Sequence, residues 1–278
     1  MSVLLIVTAD DLGLTEGVNR GIVRAHTDGI VTSTSLLAVG RSFNHAVRLL
    51  RDHPGLDAGA HLAIVGEDPP LLTAAEVPTL VNRRGRFPLT YRTVVARAAA
   101  GRVDPDDIRR ELRAQLDRIR DAGVHVTHAN CHQHLHLWPA IGVVVAELAA
   151  QDNIPSVRAP TSRSRGPVGL TVRRLSGRLR GQLEGAGLHC TAGYAGLDEA
   201  GRMNPARLAR AVSAVAAEGI GEITVHPGEP DDPARARFQW HYQWEGELDM
   251  LTDQRTRQML RDHDVELASF RDVNGAGR

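Results

Sequence analysis

The stretch Leu4-Leu5-Ile6-Val7-Thr8-Ala9-Asp10-Asp11-Leu12-Gly13 decides how this chain reads. It opens as a continuous apolar run, the pattern of a strand buried on both faces of a parallel sheet. It then meets two adjacent carboxylates. Such a pair could cap a helix or shape a turn. At the end of a buried strand, however, neighbouring carboxylates repel one another, and a nearby cation would relieve the repulsion.

Working outward, the same rhythm recurs. A helix is predicted over residues 17–27, a β-rich segment over 31–39, a helix over 43–51 and a strand over 56–62 that closes on His61. A further strand is predicted over 124–131, just before His132, followed by an apolar helix over 141–150. Strands are also predicted at 156–159, 188–192, 222–226 and 265–270, with helices at 170–183, 204–218 and 246–262. This alternation implies a parallel sheet with helical crossovers. Seven or eight such units point to a closed, irregular (β/α) barrel more than to an open doubly wound sheet, in a single domain over residues 1–278. No Gly-x-Gly-x-x-Gly follows the first strand, which argues against a dinucleotide-binding fold.

Two insertions interrupt the rhythm. Residues 65–105 are rich in Pro, Gly and Arg and follow a strand that ends in histidine, so they read as an active-site lid. Residues 227–244 carry Trp240, Tyr242 and Trp244 at alternate positions. These form either an aromatic stripe packed on the barrel or a sugar-stacking wall at the cleft mouth.

Composition narrows the chemistry. With 33 basic and 33 acidic residues in 278, spread along the chain, there is no electrostatic footprint of a nucleic-acid binder. Every basic residue is Arg, so a Schiff-base lysine, a P-loop lysine and a carbamylated-lysine metal bridge are all excluded. Cys131 and Cys190 make no disulfide framework and read as packed thiols. The apolar N-terminal run reads as a core strand and not a leader, and no stretch is long enough to span a membrane. The expectation is a soluble cytoplasmic protein, with a homodimer as the commonest assembly.

In a parallel barrel all C-terminal strand ends open on one face. Asp10, Asp11, His61, His132 and His226 therefore converge from separate segments on one rim. His132, His134 and His136 share a face if the strand before them continues. An Asp/His/His set with open positions suits a catalytic ion, which polarises a carbonyl and acidifies bound water. A second carboxylate and a further histidine then supply base and acid, roles that Asp10 and His226 fit.

These residues resemble a known family. Thr8-Ala9-Asp10-Asp11-Leu12-Gly13-Leu14, with Asn19, Gly21 and the run from Gly29 to Ser35, is similar to the opening of the YdjC-like carbohydrate deacetylases. That family includes chito-oligosaccharide deacetylases and a hopanoid-biosynthesis branch. Gly59-Ala60-His61-Leu62, the segment from His128 to Pro139, Val157-Arg158-Ala159-Pro160, Val225-His226-Pro227-Gly228 and the segment from Ser269 to Val273 continue the likeness in order. The resemblance implies a barrel related to the polysaccharide deacetylases and removal of an N-acetyl group from an amino sugar or glycoconjugate. It implies Asp11, His61 and His132 as ligands of one divalent ion, zinc first and magnesium as the alternative. It makes Asp10 the general base, held by Arg158, and His226 the general acid, with His134 and His136 around them.

One departure stands out. Asn130-Cys131 occupies the place of the family's Asp-Ser, so an imidazole in contact with Asn130 loses basicity, and the His132 end of the site is the one marked as altered. The alternatives to a deacetylase are another single-metal barrel enzyme, an isomerase or phosphoesterase, and a catalytically silent sugar-binding protein.

Overall fold

A computed structural model describes residues 3–275. Its centre is β1 (Val3–Leu12), which pairs in parallel with β7 (Ile220–Val225) along one edge. Along the other edge β1 pairs first with β8 (Val265–Leu267) and then with β2 (Ser33–Leu36). The path continues from β2 through β3 (Asp57–Leu62) and β4 (His128–Cys131) to β5 (Ser156–Val157), and beyond β7 to β6 (Gly193–Ala195). All pairings are parallel.

The sheet curls into an irregular (β/α) barrel. Glu222 on β7 lies 2.9 Å from Arg158, which follows β5. Those strands are five places apart in the sheet order. At the usual strand spacing a flat sheet would hold them roughly 24 Å apart, so only strong curvature brings them together. Alternation along the strands sorts the two faces. Leu5, Val7, Ala9, Ile223 and Val225 join the aliphatic core beneath the helices. Thr8, Asp10, Glu222 and Thr224, the alternate positions, face inward and are buried.

Between the strands run α1 (Glu16–Thr27), α2 (Phe43–Asp52), α3 (Tyr91–Ala99), α4 (Pro105–Asp121), α5 (Pro139–Gln151), α6 (Pro167–Gly185) and α7 (Pro205–Ala216). The helix predicted over 246–262 is two helices, α8 (Trp244–Thr252) and α9 (Gln254–Asp262). Asp253 separates them in extended conformation and caps the second, accepting from Arg255 N. The strand predicted at 188–192 lies further on, as β6; the earlier segment keeps only the bridge Ser156–His189. The chain ends its described part in α10 (Phe270–Gly275), so the last predicted strand is shorter than its apolar pattern.

The two insertions are built differently. The first contains α3 and is pinned to α4 by buried side chains. Glu111 accepts from Leu71 N and Leu72 N, Asp107 from Thr79, and Gln115 bonds both backbone groups of Ala63. It forms a wall tied by these bonds to the helix that follows. The second, from Pro227 onward, is an irregular strap. Its base passes so close to α1 that a Cβ on Gly21 would lie 2.5 Å from Gly228 Cα, so only glycine fits there.

Candidate active site

The two adjacent aspartates owe their joint placement to a backbone irregularity. The β1–β2 register shifts between Ala9 and Leu12, and Asp11 takes a left-handed φ of 69°. In a regular strand neighbouring side chains point to opposite faces; a bulge re-aims one of them. Asn19 supports the turn, its Oδ1 accepting from Gly13 N at 2.6 Å. Both carboxylates therefore reach the same end of the barrel yet meet different partners.

Asp11 meets imidazoles. Its Oδ1 lies 3.2 Å from His61 Nε2 and 3.1 Å from His132 Nδ1, and those two nitrogens are 3.2 Å apart. All three residues are buried. Asp11 Oδ1 has no hydrogen-bond partner with acceptable geometry. A buried unpaired acceptor costs about 1–3 kcal/mol, more when charged. A triangle of lone-pair atoms around such an acceptor fits a cation, and the two-nitrogen, one-oxygen set is that of catalytic divalent sites. Burial opposes protonation of His61, yet Asp10 and Asp11 raise its pKa above 6.5. The cluster demands positive charge, for which a proton and a metal ion compete.

Behind His61 stand Asn130 and Ser35. Asn130 Oδ1 makes a very short contact with His61 Nδ1, and Ser35 Oγ lies 3.1 Å from the same nitrogen. With the proton on Nδ1, the Nε2 lone pair turns toward Asp11. The substitution Asn130 thus bears on His61, not on the His132 end of the site that the sequence marks: β3 pairs with β4 so that His61 lies opposite Asn130.

Asp10 meets a guanidinium. Arg158, fully buried, donates from Nη1 to Asp10 Oδ2 at 2.6 Å and from Nη2 to Oδ1 at 2.9 Å. Ser35 Oγ donates to Oδ1 at 2.6 Å, which links this carboxylate to the His61 side. Burial would raise the Asp10 carboxyl, but the Arg158 charge and hydrogen bonds hold it well below the usual carboxylate range. Asp10 is ionised at neutral pH.

The histidine cluster does not continue the strand. β4 ends at Cys131, and residues His132–Leu137 turn in a 3-10 helix with Gln133 and His134 left-handed (φ 51° and 53°). The three histidines consequently do not share one face. His132 joins Asp11. His134 points edge-on to Tyr194 at 6.1 Å between ring centres. His136 lies 2.9 Å from the Arg158 carbonyl through Nε2, with its Nδ1 unpartnered. Burial pushes His136 down to about 3, and burial with the Arg158 charge pushes His134 well below the usual histidine range. Cys131 packs in the core, its thiol pushed up to about 12 by burial.

His226 follows β7, and its Nδ1 is buried without a partner. Burial lowers its pKa, although Asp11 and Asp10 pull the other way. Its backbone N donates to Glu247 Oε2 at 2.6 Å, and Met203 N donates to the other oxygen. No cation offsets the burial of Glu247, which is pushed up to about 7.

The strap's aromatics cover this site. Trp240 lies over His132, with ring centres 5.2 Å apart, and Tyr242 over His226 at 4.9 Å. Tyr242 also sits so closely on Gly201 (φ +65°) that a Cβ there would be 2.0 Å from the ring. Trp244 packs into the core beneath both, so the stripe is core at one end and site wall at the other. Trp240 Nε1 donates to Glu67 Oε1 at 2.9 Å, and Arg237 pairs with Asp68, joining strap to wall.

The sequence pattern assigns no site role to Ser35, Glu67, Glu222 or Glu247. Glu222 carried a usable signal: it lies two and four positions before Thr224 and His226, on the same face of an otherwise apolar strand. Glu247 had none, since a glutamate in a helix reads as solvent-facing.

Among the described residues no helix is long and apolar enough to cross a membrane. Comparison with known proteins gives consistent relatives. A carbohydrate deacetylase from Brevibacillus brevis is 33% identical over 273 residues, covering 97% of this chain and 99% of its own. A carbohydrate deacetylase from Clostridium beijerinckii is 28% identical over 270 residues, with the same coverage. A crystal structure from Enterococcus faecalis V583, described as a candidate cellobiose-phosphate cleavage protein, superposes with a TM-score of 0.82 at 22% identity. It covers 98% of this chain and 99% of that one, a likeness of fold. The family profile described as YdjC-like protein matches residues 4–262, and with the bulged aspartate pair, the imidazole trio and the relatives just given, the chain belongs to the YdjC-like family.

Proposed function

We propose that this protein is a metal-dependent deacetylase that removes the N-acetyl group of an amino sugar or glycoconjugate. The observation that carries the reading is the convergence of Asp11 Oδ1, His61 Nε2 and His132 Nδ1 within 3.1–3.2 Å of one another, beside a second carboxylate of opposite environment. The relatives named carbohydrate deacetylases support an acetylated carbohydrate as the substrate class.

Asp11, His61 and His132 would hold a divalent ion, zinc or magnesium, which when bound would supply Lewis-acid chemistry toward the acetyl carbonyl and water. Asp10 accepts the water's proton. Its Oδ2 is the freer oxygen, engaged by Arg158 Nη1 alone, whereas Oδ1 takes two hydrogen bonds. Arg158 keeps the carboxylate ionised and in one orientation. His226, whose Nδ1 has no protein partner, hands a proton to the departing nitrogen. Amine and acetate are the products. Trp240 and Tyr242 offer the sugar an aromatic face, and their cover over the histidines excludes water while the bond breaks.

The test is mass spectrometry and acetate assay of metal-loaded protein with a panel of N-acetylated sugars. Replacement of one acetyl group by hydrogen, abolished by chelation and restored by added ion, is the expected result. Full metal loading with no acetate from any amino sugar overturns the reading.

A further inference from the structure

The Arg158 guanidinium offers two edges, and Asp10 occupies only one. On the other, Glu222 Oε1 accepts from Arg158 Nε at 2.9 Å, lies 2.8 Å from Nη2, and accepts from Thr8 Oγ1 at 2.9 Å. Glu222 and Arg158 are both fully buried. The guanidinium is therefore clamped in its plane by carboxylates on two edges, one from β1 and one from β7. Neither β5, which carries Arg158 just beyond its end, nor the 3-10 turn above it supplies a contact to these side-chain nitrogens; His136 reaches only the Arg158 carbonyl.

We propose that Glu222 is a positioning residue: by holding the Nε edge of Arg158 it fixes the angle at which Nη1 and Nη2 meet Asp10. The inference rests on the deacetylase reading for its kinetic consequence, but not for its geometry.

The physical argument is one of cost. Two buried carboxylates share one guanidinium, and Glu222 Oε2 has no hydrogen-bond partner. Such an arrangement is a poor source of stability, because desolvation of the second carboxylate is only partly repaid. What it supplies is orientation. An arginine with five N–H groups in a rigid fork transmits a constraint from one edge to the other, which a lysine does not. A purely structural Glu222 would stabilise the fold; a positioning Glu222 costs the fold something and acts on kcat.

The experiment compares Glu222→Gln, Glu222→Ala and Arg158→Lys, alone and combined, in the metal-loaded full chain. For Glu222→Ala the expected result is a kcat loss of about 100-fold, the scale of a misplaced catalytic group, with KM and metal content unchanged. Glu222→Gln, which keeps an acceptor for Nε and Thr8, recovers most of the lost kcat, and its Tm is not lowered. In the Arg158→Lys background the Glu222→Ala change lowers kcat no further, because the link is already cut. An undiminished kcat in folded Glu222→Ala overturns the proposal, as does a loss that tracks metal content or is fully additive with Arg158→Lys. A crystal structure of Glu222→Ala separates this from the activity assignment. Arg158 must leave its two-pronged contact with Asp10, and an unchanged pair overturns the proposal even if wild type releases no acetate and the deacetylase reading has failed.

Discussion

Asp10 and Asp11 are consecutive residues of one type, yet the regions they enter are opposites. On the Asp11 side three lone-pair atoms face one another, and the carboxylate oxygen has no donor. On the Asp10 side both oxygens are taken by a buried guanidinium and a hydroxyl. One region is short of positive charge and the other carries its own. The lesson is that a motif of two identical residues can enter two opposite environments, because the partners across the barrel, and not the residues, set the charge balance.

The largest effect should come from breaking the Asp11 side. Asp11→Asn should remove the ion and with it acetate release, a fall of about 10³-fold or more, since a metal's Lewis-acid contribution is worth several kcal/mol. Metal content by atomic emission and acetate release should vanish together while circular dichroism stays native; a variant that keeps its ion and turns over breaks the comparison.

Asp10→Asn comes next. It leaves the metal trio intact, so content should stay stoichiometric while kcat falls by about 10²–10⁴-fold, the usual worth of a positioned proton acceptor. Loss of metal from this variant would mean that the two sides are not separable.

Falling pH should strip the two sides in order. Protons compete for His61 from above pH 6.5, so metal retention, followed by equilibrium dialysis, should weaken first. His128 and His136 are held to about 3 by burial against 6.5 in the unfolded chain, so the folded state takes up fewer protons. Stability should therefore decline as pH drops from 6.5 towards 3. Asp10, depressed in the fold, loses its contribution only below 3.8, its ordinary value. A metal-free Tm that stays flat between pH 6.5 and 4 contradicts this order.

Asn130→Asp sharpens the contrast more gently. A carboxylate behind His61 makes its Nε2 a better donor, and such partners typically change metal affinity by about 10–100-fold. Chelator competition should show tighter binding; unchanged affinity would mean that the Asn130 contact to His61 carries no electronic weight. The smallest effect belongs to the cover. Trp240→Phe keeps the ring over His132 but deletes the Nε1 bond to Glu67, so KM should rise only a few-fold, roughly 1 kcal/mol. A large drop in kcat would place Trp240 nearer the chemistry than the strap suggests.

What the sequence alone determined is the part governed by local pattern. The apolar run before Asp10, the alternation of strands with amphipathic helices, and polar residues at strand ends suffice for a parallel barrel that gathers aspartates and histidines at one rim. Local pattern did not reveal α4, whose apolar positions lie among many charged residues, nor the break at Asp253. It placed the three histidines on one face only if the strand continued, and nothing in His132 to His136 announces the two left-handed residues that end it. Tertiary structure decided three things: that a bulge turns both aspartates to one rim, that Asn130 serves His61 and not His132, and that Glu222 shares Arg158 with Asp10. Each depends on strand register and sheet curvature, which bring together residues as distant as Thr8 and Glu222, 214 positions apart. Period and composition report what a residue's neighbours in the chain require; they carry no record of which strand lies opposite, and there the chemistry of this site is set.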